Sequence, residues 1–222
     1  VNVSEAVERR ISVRAFRNDP VPGEMLREIL QKAGRAPSGG NVQPWIVHAL
    51  AGPKLAEFKS VVAARQAAGE RETPEYDIYP ASLWDPHRTY RFESGEDLYR
   101  AINVPRDDKA GRLRQMARNF DFFGASVGLF FFLDRRMGPP QWADLGMYMQ
   151  TVMLLAVDYG LDSCAQEIWA HWPKSAAAFL GVPDTLMLFA GMSLGYRDPD
   201  HPINSLRTKR AQLDDFAHFH RF

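Results

Sequence analysis

Four short stretches of this chain gather residue types that bind anions and flat rings. Near the start, Arg10, Ser12 and Arg14 alternate within Arg9-Arg10-Ile11-Ser12-Val13-Arg14, so an extended backbone turns all three toward one face. Two guanidinium forks and a hydroxyl on one face suit a phosphorylated, hydroxyl-rich ligand. The same pattern equally makes an exposed basic strand edge. In the second stretch, Pro37-Ser38-Gly39-Gly40-Asn41-Val42-Gln43-Pro44-Trp45, two glycines sit beside the polar groups of Ser38 and Asn41. Glycine lets backbone approach a flat ligand closely, and Pro44 fixes the entry into a strand; taken alone, this is also an ordinary Gly-containing turn. The third, Gly160-Leu161-Asp162-Ser163-Cys164-Ala165-Gln166-Glu167-Ile168-Trp169, comes after a long apolar stretch and can offer main-chain N–H groups to an acceptor. The fourth, Asn204 to Arg210, places Arg207, Lys209 and Arg210 near the C-terminus, where a basic tail is commonplace.

The elements that must position these groups can be read from periodicity. Ser4 is a candidate cap for a helix over Glu5–Arg10. Met25, Leu26, Ile29, Leu30 and Ala33 form one stripe of a helix over 24–35. Trp45–Leu50 reads as a strand closed by Gly52-Pro53, and Leu55–Ala68 and Leu113–Phe123 as helices. Ser126–Leu133 shows no polar alternation, so it reads as a strand buried on both faces. Over Gln141–Tyr159 almost no wet face remains, which puts that helix at the centre or against a partner subunit. Gly160 is suited to end it in the left-handed conformation. Pro173 starts a further helix, Leu186–Leu194 is the last clear strand, and the tail from Asp198 is polar and extended. The stretch from Glu70 to Asp108, broken by Pro74, Pro80, Pro86 and Pro105, reads as an irregular lid or dimer-wrapping arm. Helices and strands mix without a βαβ repeat, which favours an α+β layered fold in one domain, residues 1–222.

Composition excludes several functions. Lys plus Arg number 27 and Asp plus Glu 27, so no cationic excess marks a nucleic-acid surface. The run Arg112–Arg118 reads as a solvated helix face. One cysteine, Cys164, excludes an intrachain disulfide and a multi-cysteine metal site, and a free thiol fits a reducing compartment. His48, His87, His171 and His201 lack ligand spacing, and the His218/His220 pair reads as tail surface, so no metal is expected. The start of the chain lacks the basic and apolar pattern of a leader, and no run is long enough to span a bilayer. A cytoplasmic protein with no membrane partner is the expectation.

Taken together, the four stretches resemble the nitroreductase family over nearly the whole chain. The resemblance rests on Arg10, Ser12, Arg14 and Phe16, then on Pro37, Ser38, Asn41, Gln43, Pro44 and Trp45, then on Gly160, Leu161 and Glu167. Tyr79, Pro80, Pro86, Asp97-Leu98-Tyr99, Asp107-Asp108 and Asn119–Phe123 look like the branch that reduces nitrobenzoate-type compounds. Ala165 stands where better-known relatives have proline. The resemblance implies a mostly antiparallel central sheet flanked by helices, an intertwined homodimer, and flavin mononucleotide (FMN) sites shared between the chains. It further implies that Arg10, Arg207 and Arg210 hold the phosphate and that Ser12 reaches the ribityl chain or ring edge. Ile11 belongs to the same cofactor segment, and Arg14 would lie by the pyrimidine carbonyl. Pro37, Ser38, Gly39 and Asn41 would come from the partner. Ala165, Gln166, Glu167 and Ile168 would cover one ring face, with the Glu167 main-chain N–H close to the reactive nitrogen.

The implied reaction is ping-pong electron transfer from NADH or NADPH to a small aromatic acceptor, with the chemistry on the flavin and no catalytic triad. Gly40, Tyr79, Trp84 and Arg88 are the candidate substrate contacts, with Tyr76, His87 and Tyr90 near them and Arg88 preferred for an anionic substituent. Dimer-arm packing is the competing reading of the aromatic ones. Reductive dehalogenation or oxidative dehydrogenation on the same flavin, and a non-catalytic flavin-binding protein, are the alternatives. The physiological acceptor and the choice between NADH and NADPH are left open.

Overall fold

The computed structural model describes residues 1–220; the last two residues of the expected single domain lie outside the described residues. Its organising element is strand β2 (Val127–Asp134), apolar or glycine until its last residue. Strands β1 (Ile46–Ala51), β3 (Asp162–Gln166) and β4 (Leu186–Gly195) join it in one sheet of order β1-β2-β4-β3, with every neighbouring pair antiparallel. Successive side chains of a strand point to opposite faces, and both faces of β2 are covered. Phe130 and Phe132 enter a cluster with Phe58, Phe122 and Trp169. Leu129, Phe131 and Leu133 enter a second cluster with Ile29, Leu145, Tyr148 and Val152. The expectation of a doubly buried strand holds, and with it the α+β layered class.

Seven α-helices among the described residues flank the sheet: α1 (Val3–Arg9), α2 (Gly23–Ala33), α3 (Gly52–Ala67), α4 (His87–Ala101), α5 (Lys109–Ala117), α6 (Pro139–Asp158) and α7 (Pro173–Leu180). The α2 stripe packs with α6 on one face of the sheet, and Leu55, Phe58 and Val62 of α3 pack with Ala176 of α7 on the other. Gly160 ends the α6 region at φ 73, as its position suggested. On a single chain α6 still leaves Met147 40% exposed, so its apolar surface exceeds what this core covers.

Four local expectations need correction. Asn2, not Ser4, caps α1, its side chain accepting the Glu5 N–H at 2.9 Å. Gly52-Pro53 closes β1 as expected but also opens α3, which therefore begins before Leu55, because proline fits the first turn of a helix. The helix expected over 113–123 ends at Ala117. A tight turn comes next, in which Phe122 and Phe123 take φ of 52 and 55. Left-handed backbone costs a non-glycine residue roughly 1–2 kcal/mol, and here both rings are buried in the core in return. Finally, the stretch 70–108 is not irregular throughout. Its second half contains α4, which buries no residue and so carries no apolar stripe to announce it.

The first part of that stretch is fastened to the core. The Glu72 carboxylate accepts the N–H groups of Lys174 and Ser175 at 2.7 and 3.0 Å, satisfying the open N-terminus of α7, and pairs with Arg65 at 2.7 Å. Glu75 takes Arg135 in a two-pronged pair at 2.6 and 2.7 Å. Tyr76 lies on Phe189 and Trp142 and donates to the Phe189 carbonyl, so it is core packing rather than a free ring.

Two glycines make room for the aromatic layer. A Cβ on Gly128 would stand 2.8 Å from the Phe122 ring, and one on Gly191 would stand 2.2 Å from Trp169 Cδ1. Trp169 is 0% exposed and encircled by Phe58, Phe120, Phe122 and Phe130. The indole has nowhere to retreat, so Gly191→Ala is expected to destabilise the fold by about 1–3 kcal/mol through overpacking. Urea unfolding checks this: an unchanged midpoint would show that the indole can move aside.

Candidate functional site

The segment after α1 continues the sheet beyond β3. Ser12 pairs in parallel with Ser163, and the Val13 N–H donates to the Ser163 carbonyl at 3.0 Å. Val13 is wholly buried between Ser12 and Arg14, so the period-two alternation of Arg10, Ser12 and Arg14 is realised. All three reach Cys164. Burial pushes its thiol up, while the Arg14 charge, the Ser12 hydroxyl and the Arg10 charge oppose that shift. A buried thiol held up in this way is not a nucleophile. Ile11 instead packs against the aromatic cluster.

The C-terminal tail is brought to this segment by a residue the motifs did not mark. Buried Asn204 accepts the Arg14 N–H at 3.0 Å and donates to the carbonyls of Ala15 and Asp198, both at 2.8 Å. From there Arg207 reaches the Arg9 carbonyl at 3.4 Å. Arg210 comes close enough that its charge, after burial, is the second influence lowering the Arg10 guanidinium. The two ends of the chain therefore meet. Arg10 is half-buried, and neither it nor Arg210 has a carboxylate partner among the described residues.

Residues 37–43 lie elsewhere. Gly40, Asn41 and Gln43 take φ of 56, 57 and 47, and the Gln43 N–H donates to Ser38 Oγ at 3.0 Å. Left-handed non-glycine residues persist only where surroundings hold them. One such hold is Asp144 on α6, 5% exposed, whose two oxygens accept the Gly39 N–H at 3.2 and 3.3 Å. A carboxylate among the apolar residues of that helix, away from its ends, was the available signal for this residue, since buried charges need a reason. Pro37, Gly39, Gly40 and Asn41 present themselves to solvent and Ser38 is half-buried.

In the third stretch, Ala165 and Glu167 are exposed and Ile168 is half-buried. The Gln166 side chain turns inward: it donates to the Asn119 carbonyl at 2.7 Å and accepts from Ser193 Oγ at 2.7 Å. Any contact Gln166 makes with a ligand is therefore left to its main chain. Burial pushes the Tyr76 hydroxyl up, and the neighbouring Glu167 carboxylate adds to the shift.

A cleft of about 1330 Å³ opens between Arg14, the 79–83 loop, α4 and Thr208–Ala211. Tyr79 and Arg88 line it, whereas Trp84 and Gly40 do not. Arg88 is already paired with Asp85, which also accepts from Thr89 at 2.8 Å. One chain thus unites the N-terminal segment, the tail and the arm around a cationic, partly aromatic cleft, and keeps the 37–43 loop on another surface.

The model of the Nitroreductase family matches residues 7–196. The nitrobenzene nitroreductase of Ectopseudomonas oleovorans is 36% identical, over 98% of this chain and 96% of its own length. The 4-nitrobenzoate reductase of Pseudomonas putida is 35% identical, over 97% and 94%. Among solved structures, the FMN and NADPH-dependent nitroreductase NfnB from Sphigopyxis sp. strain HMH superposes over the whole of both chains with a TM-score of 0.97 at 46% identity. With the family model spanning most of the chain and relatives aligned from end to end, the protein belongs to the nitroreductase family.

Proposed function

We propose that this chain is an FMN- and NAD(P)H-dependent nitroreductase that reduces small nitroaromatic compounds, as a cytoplasmic homodimer. The observation that carries the reading is the return of the tail to the first segment, where Asn204 bonds Arg14 and Arg207 bonds the Arg9 carbonyl, while Arg10 and Arg210 have no ion-pair partner among the described residues. Two guanidiniums brought together without a counter-charge suit an incoming phosphate, whose oxygens accept from several donors at once. Arg207 is tied to the carbonyl of Arg9, the residue before Arg10. FMN therefore fits the residues present.

Within this reading Arg10, Arg207 and Arg210 hold the phosphate, and Ser12 meets the ribityl chain. Arg14 offers positive charge to the pyrimidine edge of the ring, where negative charge gathers on reduction. FMN held there would supply the redox chemistry between the nicotinamide and the nitro group. Ala165, Gln166, Glu167 and Ile168 border one ring face, Gln166 through its backbone. Tyr79 and Arg88 border the space in which donor and acceptor would alternate.

The dimer is supported by two observations. The loop bearing Pro37, Ser38, Gly39, Gly40 and Asn41 does not line the cleft of its own chain, and in this reading it would come from the second chain. Exposed Val3 and Val7 on α1 and Met147 on α6 also leave apolar surface to cover. The lone free thiol of Cys164 accords with a reducing compartment.

The protein is expected to purify yellow and to oxidise NADH or NADPH when nitrobenzene is supplied. Removing two charge-assisted contacts at about 1.5–3 kcal/mol each, the Arg10→Ala/Arg207→Ala variant is expected to lose its flavin on gel filtration while keeping its far-ultraviolet circular dichroism. Full occupancy in that variant would sink the phosphate assignment. Asp144→Ala removes the acceptor for the Gly39 N–H and is expected to weaken flavin binding about tenfold. A fluorescence titration that returns the wild-type Kd would separate the 37–43 loop from the flavin site.

A further inference from the structure

The cleft is lined by six basic side chains, and their partners differ. Arg88 is paired with Asp85, Arg112 with Glu96 at 2.7 and 3.2 Å, and Lys209 with Glu93 at 3.4 Å. Arg14 and Arg210 belong to the proposed flavin site. Arg91 remains. Its guanidinium carbon lies 4.3 Å from the centre of the Tyr79 ring, and no carboxylate among the described residues pairs with it. Tyr79 is 48% exposed and lines the cleft with it.

The same cleft contains the completed form of this arrangement. Arg112 lies 4.2 Å over the Tyr99 ring and grips Glu96 with both ends of its fork. An aromatic face braces a guanidinium and leaves its edge N–H groups free for a planar or tetrahedral anion. Arg91 on Tyr79 repeats the ring and the fork without the anion.

We infer that Arg91, braced on Tyr79, is an anion subsite of the cleft that receives a carboxylate or phosphate carried by an incoming redox partner. The inference rests on reading the cleft as the place where donor and acceptor meet the flavin. It moves anion recognition from Arg88, whose charge Asp85 already answers, to Arg91. The shared chemistry is an oxyanion taken two-pronged by a fork. Its sources are a ring carboxylate on the acceptor or a phosphate on the nicotinamide donor.

The test uses flavin-loaded enzyme and Arg91→Met, which keeps an apolar stem over Tyr79 and removes the charge. The reference reaction, 1-benzyl-1,4-dihydronicotinamide with nitrobenzene, carries no anion and is expected to keep its kcat/KM within about twofold. Losing the fork is expected to lower kcat/KM about tenfold for whichever partner uses it. A loss confined to 4-nitrobenzoate identifies the carboxylate. A loss confined to NADPH identifies its 2′-phosphate, and a loss shared by NADPH and NADH identifies their diphosphate.

Direct binding supplies a second readout. Benzoate, or adenosine 2′-monophosphate, is expected to bind the wild type and to bind Arg91→Met about tenfold more weakly, with Arg91→Lys in between because it keeps the charge and loses the fork. Equal losses on every reaction pair, or unchanged kinetics together with unchanged binding of both probes, would overturn the subsite. A wild type inactive even in the reference reaction would instead count against the nitroreductase reading, while the binding titrations would still decide Arg91.

Discussion

A strand that is apolar on both faces must be covered on both, and β2 sets that requirement for the whole chain. Its two sets of alternate residues call for two different partners. One is the pair α2 and α6, with aliphatic side chains, Met149 and Tyr148; the other is a tightly ringed aromatic layer around Trp169. The aromatic layer needs space beside the sheet, which is why glycine stands at 128 and 191 and why Phe122 and Phe123 accept left-handed backbone. With both faces occupied, the sheet can receive more chain only at its edges, β1 and β3, and it is the β3 edge that is used. The residues after α1 take that edge, so the requirement to bury β2 ends by placing Arg10, Ser12 and Arg14 side by side.

That placement uses main-chain bonds, and the tail is held the same way. Asn204 bridges Arg14, Ala15 and Asp198 with one buried amide, so the cations of both termini are brought together by neutral hydrogen bonds rather than by counter-ions. Many surface arginines of this protein meet a carboxylate, as Arg136 meets Asp134 and Arg17 meets Asp19. Among the described residues Arg10, Arg14 and Arg91 have no such partner, and neither have exposed arginines outside the cleft such as Arg27 and Arg71. Charges that a fold assembles and leaves unanswered are informative about what it binds, because holding them without a ligand has no structural benefit.

The legible part of the sequence was the part written in local period. Strand β2, the α2 stripe, the apolar α6 and the alternation at 10–14 all depend on neighbours within a few residues. Helix α4 was not legible, since it buries nothing and its rings and charges carry no stripe. Glu72 was not legible either: its partners Lys174 and Ser175 lie 102 and 103 residues away, and no local pattern encodes such a pairing. Asn204 and Asp144 share that difficulty, each being a polar residue whose importance arises only once a distant backbone N–H is beside it. Gln166 differs again. Its stretch follows α6 as the sequence suggested, yet the side chain is taken up by Asn119 and Ser193, and only three dimensions reveal which way it turns.

The cleft is consequently built from two kinds of wall. The wall at Arg14 belongs to the segment from residue 10 to residue 16, which is fixed by backbone bonds to β3, to Phe123 and to the 196–198 segment. The opposite wall, α4, has no buried side chain and is held by side-chain pairs such as Arg112–Glu96 and Lys209–Glu93. Arg112–Glu96 is partly buried but Lys209–Glu93 is exposed, and such exposed pairs contribute little and are weakened by salt, so with no buried side chain that wall belongs to the low-stability end of the fold. Its root does not, because Glu72, Glu75 and Tyr76 fasten the arm to α7, Arg135 and β4 before the chain leaves the core. An alternating reaction needs a cofactor that stays in place while donor and acceptor exchange beside it. In the proposed reading, a rigid wall for the first and a yielding one for the second, anchored at its base, would divide that task between backbone and side chains.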